Sequence, residues 1–188
     1  MRPRPVFCAA ALGVALLNSS VYGQSSTEVQ LSFTSDFIGG GPFPANNSQW
    51  IAVTDNGKAA IDTAVTVEQI QHGCTGSATR IKAVSVDAPL FMVRGSSRFR
   101  AGPLDTVFTG HRFIYPGEGI SLKLGSGAWF GLHAYGSATP DGIANYQIEI
   151  TQGSRRQRIA DFPEIDLDGK PVLIWAGDLD RDTMPDVI

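Results

Sequence analysis

Apolar and polar residues alternate one for one in stretch after stretch of this chain, and few sequence patterns restrict a fold more. Val29, Leu31 and Phe33 alternate with Gln30, Ser32 and Thr34, and Ile61, Thr63, Val65 and Val67 with Asp62, Ala64, Thr66 and Glu68. Further on, Ile120, Leu122 and Leu124 alternate with Ser121 and Lys123, and Tyr146, Ile148 and Ile150 with Gln147, Glu149 and Thr151. A side-chain period of two sets one face of an extended strand in a core and the other in water, whereas a helix needs apolar residues three or four apart. Turn-forming clusters separate the runs: Asp55-Asn56-Gly57, Pro116-Gly117, Pro140-Asp141-Gly142 and Asp168-Gly169. With 21 glycines and 11 prolines this punctuation is frequent, and no long stretch keeps helical spacing between two caps. The pattern predicts an all-β fold of antiparallel strands, a β-sandwich or an open barrel.

The first 23 residues depart from that rhythm. Arg2 and Arg4 precede an unbroken apolar run from Val6 to Leu17, and Val21-Tyr22-Gly23 ends in a small residue. This is the plan of a secretory signal peptide, predicted over residues 1–23, with a mature chain that starts at Gln24 and is secreted or periplasmic. The run is shorter than the roughly 20 residues a membrane-crossing helix needs, and no later stretch approaches that length. Cys8 comes too early, and after the wrong residues, for a lipoprotein anchor. The formal net charge is −3, and loss of Arg2 and Arg4 with the leader makes it more negative. An acidic exported chain is not built for nucleic acid or for an anionic membrane surface. Removal of the leader leaves Cys74 as the sole cysteine, so no internal disulfide forms. His72-Gly73-Cys74 lacks the second ligand pair of a zinc site and reads as an idle thiol.

The chain ends in "GDLDRDTMPDVI", Gly177 to Ile188. Counted from Asp178, acids stand at positions one, three, five and nine as Asp178, Asp180, Asp182 and Asp186, and Met184 at seven offers a backbone carbonyl. Carboxylates this close raise the cost of ionising one another unless water spreads them or a cation sits among them. When a chain curls, alternate positions point the same way, so four carboxylates and a carbonyl converge. Calcium takes six to eight oxygens at about 2.3–2.6 Å in tolerant geometry, magnesium demands a stricter octahedron, and zinc prefers nitrogen and sulfur. An EF-hand needs a bidentate acid at position twelve, where this chain has already ended. Strand-like Val172 to Trp175 before the loop, and Val187-Ile188 after it, also argue against flanking helices.

At these residues, about 172–188, the sequence resembles the FG-GAP repeat, the calcium-loop hairpin of integrin-type propellers. "WAGDLDRDTMPDVI" follows that family's order of strand, D-x-D-x-D-G-x-x-D, then strand. The resemblance implies a structural calcium ion held by the side chains of Asp178, Asp180, Asp182 and Asp186 and by the Met184 carbonyl. Thr183 stands where the family has glycine, and Arg181 adds a cation nearby; both weaken the expected affinity. The family's second strand runs on past Ile188, so the resemblance also implies a hairpin cut short. The domain plan expected is a signal peptide at 1–23, a β-sandwich at 24–161 and an FG-GAP-like hairpin at 162–188.

Elsewhere the residues carry less chemistry. Asp36 to Gln49 reads as a long connecting loop, and Ile165 to Trp175 as a hairpin turning at Asp168-Gly169. In Ala128 to Tyr135, alternation places Trp129, Gly131, His133 and Tyr135 on one face. The plain reading of that face is a second core layer with His133 hydrogen-bonded inside it; the alternative is a platform for sugar rings. No serine sits in a nucleophile elbow, and Gly39-Gly40-Gly41 lacks the lysine and helix of a phosphate loop. The expected function is that of a non-enzymatic binding or structural protein with a protein or glycan partner. A carbohydrate-binding module using Trp129 and a secreted hydrolase with scattered acids are the alternatives.

Overall fold

The computed structural model describes residues 16–17, 29–33, 36–37, 44–72, 76–166 and 170–188. Among them there is no helix, and every strand pairing is antiparallel. The all-β antiparallel class read from the alternation is the class the chain adopts, consistent with a sandwich or open barrel. No described helix is long and apolar enough to cross a membrane. The strands fall into two compact units that divide between Pro103 and Leu104.

The first unit is one sheet. Its strands are β1 (Leu16–Leu17), β2 (Val29–Ser32), β3 (Asp36–Phe37), β4 (Gln49–Val53), β5 (Ala59–His72), β6 (Gly76–Ala83), β7 (Phe91–Arg94) and β8 (Gly102–Pro103). They run in the order β1-β2-β7-β4-β5-β6-β3, with β8 on β5. The first half of β5 pairs with β4 and the second half with β6, so one long strand serves two neighbours. At the changeover Thr63 is buried, and its hydroxyl accepts from the amides of Val84 (3.1 Å) and Ser85 (3.0 Å). Trp50, Ala52, Val65, Ile81 and Met92 form the adjoining core. β1 lies within the expected leader but only at the sheet edge, so its removal leaves the register of the other strands intact. The rest of the leader, Cys74 and residues 38–43 of the long loop lie outside the described residues; the loop's ends, Asp36 and Gln49, belong to strands.

The second unit has two sheets over one core. β10 (Gly119–Lys123), β11 (Trp129–Ala138), β12 (Gly142–Gln152) and β13 (Arg155–Asp166) form a four-stranded meander. β9 (Asp105–Arg112), β14 (Leu173–Asp178) and β15 (Asp186–Val187) form a three-stranded sheet with β14 in the middle. Leu132, Tyr146 and Ile150 from the meander share a cluster with Leu173 and Ala176 from β14. Tyr146 is wholly buried, and its hydroxyl donates to the Ile114 carbonyl at 2.8 Å. That pairing satisfies the one polar atom the ring carries inward.

Three expectations change here. The strands flanking Asp168-Gly169 do not pair with each other: β13 pairs with β12, and β14 with β9 and β15. Residues 167–169 themselves lie outside the described set. The boundary expected between 161 and 162 falls inside β13, while the compact units meet at 103/104. A turn dipeptide marks a change of direction but does not choose the partner strand. Finally, Phe130, Leu132 and Ala134 are buried, whereas Trp129 is 59% exposed and Tyr135 43%. The second core layer around His133 is not formed, because alternation sorts residues onto two faces without saying which is covered.

Candidate metal centre

The acidic loop joins β14 to β15, the antiparallel hairpin expected at the C-terminal end. Gly177 pairs with Asp186 and Ala176 with Val187, and the Ile188 amide donates to the Trp175 carbonyl at 3.0 Å. β14 is anchored on its other side by β9 and by Trp175, which is fully buried and donates from Nε1 to the Thr106 hydroxyl at 3.1 Å. Gly177 is confined as well: a β-carbon there would collide with the Asp105 backbone oxygen and lie 2.7 Å from the Trp175 ring. A rigid, tightly packed strand therefore delivers Asp178 to the mouth of the loop. Leu179, also buried, pins the next residue.

The loop then folds around its own carboxylates. Asp178, only 7% exposed, accepts from the amide of Asp182 on Oδ1 (3.1 Å) and from that of Thr183 on Oδ2 (2.9 Å). Asp180 Oδ1 accepts from the Asp182 amide at 3.2 Å, and Asp182 Oδ1 from the Met184 amide at 2.8 Å. Asp186 Oδ2 accepts from the Leu179 amide at 2.8 Å and closes the base. To make these bonds the backbone takes positive φ at Arg181 (62°) and Thr183 (66°).

Asp178, Asp180 and Asp186 each place a carboxylate oxygen within 4.8 Å of the others. Oxygens on opposite sides of an ion bound at about 2.3–2.6 Å are separated by about that distance, so one hard cation can bridge the three. Asp182 stands outside this group, its Oδ1 engaged by the loop's own backbone, and Met184 sits at the exposed end. Burial is the main cause that pushes the Asp186 carboxyl up to about 7; Asp180, Asp182 and Asp178 push it the same way, and the Leu179 amide pulls it down. Negative charge is thus held where solvent relieves it poorly, and either a proton or a cation removes the excess. The donors are all oxygen, which suits a hard divalent cation over zinc or copper.

One acid escaped the sequence reading. Asp105 is the register partner of Asp178 across β9, although it lies 73 positions away in the chain. Its Oδ2 accepts from the Gly125 amide at 2.7 Å, tying the sheet to the turn between β10 and β11. Only strand register could have revealed it. No family model, curated protein or solved structure matches the chain, so the loop's meaning rests on its own geometry.

Proposed function

We propose that this is an exported, non-enzymatic all-β protein whose C-terminal FG-GAP-like hairpin binds calcium as a structural ion. The observation that carries this reading is the convergence of Asp178, Asp180 and Asp186 oxygens within 4.8 Å at the end of a rigid strand. The ion completes a loop whose carboxylates already organise its backbone, and it offsets their repulsion, so binding and local folding are coupled. Asp182 and the Met184 carbonyl join as further ligands once the ion draws the loop in.

The affinity belongs to the weak extracellular class, with a Kd of about 10⁻⁴–10⁻³ M. At ten times that concentration, calcium adds about 1.4 kcal/mol to stability by mass action. Titration calorimetry of the mature chain from Gln24 tests the reading directly. Calcium should give a saturable heat, magnesium a weaker one, and the Asp180→Ala variant none. A chain that retains its melting cooperativity yet shows no calcium heat at millimolar concentrations is not a calcium protein. Mass spectrometry of exported material should find the mature N-terminus at or near Gln24; an intact Met1 in that material rejects export by a cleaved leader.

A further inference from the structure

The outer face of the four-stranded sheet carries a second feature, remote from the acidic loop in sequence. A concavity of about 400 Å³ lies over β11, β12 and the turn at Gly153-Ser154, lined by His133, Tyr135, Thr151, Arg155 and Arg156. That volume lies within the range of small-ligand clefts, about 300–1,000 Å³. Glycines make the room for it. A β-carbon at Gly119 would lie 2.6 Å from His133 Nδ1, and one at Gly131 would lie 2.8 Å from Nε2 and 2.9 Å from the Thr151 hydroxyl. The imidazole therefore lies low against the sheet, in space that Gly119 and Gly131 leave open and that a side chain at either position would force it to give up.

Charge on this face is positive and partly pre-set. Glu149, the register partner of His133, faces Arg156 Nε at 3.6 Å, and its Oε2 is buried with no hydrogen-bond partner. This contact holds the Arg156 stem while its terminal nitrogens stay available, since the side chain is 67% exposed. Arg155 has no ion-pair partner among the described residues. On the same strand, two positions before Gly131, Trp129 is 59% exposed, with Lys123 Nζ 5.5 Å from its ring centre. At about 3.3 Å per residue, Trp129 and Tyr135 bracket roughly 20 Å of one strand face.

We infer that this face binds a carboxylated saccharide. The two exposed rings offer flat apolar surfaces for the C–H faces of sugars, and the guanidinium groups match a carboxylate in bidentate fashion. The Thr151 hydroxyl, which lines the concavity, serves a sugar hydroxyl. A bare anion would leave the rings unused, and a neutral sugar would leave the arginines unused. The inference does not depend on calcium, because every group named lies on β10–β13 and the turns between them.

The test is calorimetric titration with a short oligogalacturonate, in buffer without added calcium so that neither the acidic loop nor ion cross-linking of the sugar contributes. The acid form should bind, and its fully methyl-esterified form should bind at least about tenfold more weakly, since each lost charge-assisted bond is worth about that factor. Raised salt should weaken the acid form. Trp129→Ala and Arg155→Ala should each lower affinity severalfold with melting temperature unchanged, and Arg155→Lys should recover only part. Equal binding of acid and ester overturns the carboxylate assignment, and binding to neither overturns the site. Competition by a single-stranded oligonucleotide as strong as that by the sugar acid would reduce the face to a general anion trap and overturn the saccharide.

Discussion

Thr183 holds a conformation that its side chain disfavours. At φ 66° a β-branched residue crowds the backbone, at about 1–2 kcal/mol, whereas glycine adopts the same angle freely. Thr183→Gly should therefore raise the melting temperature in calcium or tighten calcium binding by a fewfold, the net gain being trimmed by glycine's greater freedom in the unfolded chain. Calorimetry on the two proteins decides; weaker binding in the glycine variant would show that the threonine supports the loop. Gly177→Ala should act in the opposite direction, since its β-carbon meets the Asp105 backbone and the Trp175 ring. A loss of about 1–3 kcal/mol by denaturant titration is expected from such overpacking. The loop's acids were legible because all four lie within nine residues, and the curl that gathers three of them is local. The divergence of Asp182 was not legible, since it depends on which amides turn inward at Arg181 and Thr183. Asp105 was hidden because cross-strand register has no trace in local sequence.

At the scale of elements, alternation located the strands because burial of one face is written into every second residue. In β11 it separated Trp129, Gly131, His133 and Tyr135 from the residues between them, yet it could not say whether Trp129 and Tyr135 faced a second layer or water. Nor could it assign β14 to β9, because strand partners are chosen by the whole core and not by the intervening turn. Tyr146 shows how that core titrates. Burial pushes its phenol up to about 12 from an ordinary value of 10.0. The fold favours the neutral form, so this contribution is fully present below pH 10 and lost as pH rises through 12. Chemical denaturation of the native protein should thus show stability falling across pH 10–12, by an amount of order 2 kcal/mol. Tyr146→Phe should flatten that fall while costing about 1 kcal/mol at neutral pH, where the Ile114 carbonyl loses its donor. A variant that declines as steeply as the parent would place the alkaline sensitivity elsewhere.

The whole molecule divides between Pro103 and Leu104, and this division bears on where the cation site can survive. β14 is the central strand of its sheet, held by β9 on one side and by β15 on the other, and its inner face enters the core shared with β10–β13. The hairpin expected at 162–188 is therefore not a self-sufficient piece: it holds none of β9, and only part of the core that buries Leu173, Trp175 and Leu179. A peptide of residues 162–188 should be unstructured and should bind calcium no better than a solvated acidic tail. The segment 104–188 contains β9–β15, the continuous apolar cluster and Asp105. Its size is within the range in which single cores fold without disulfides. It should melt cooperatively with a β-type circular dichroism spectrum, and calcium should raise its melting temperature as it does that of the full chain. Asp180→Ala in this segment should abolish the rise and leave the calcium-free melt in place. A segment that melts cooperatively but ignores calcium, while the full chain responds, would show that the ion is held by residues before Leu104. The acidic loop would then be only a solvated turn.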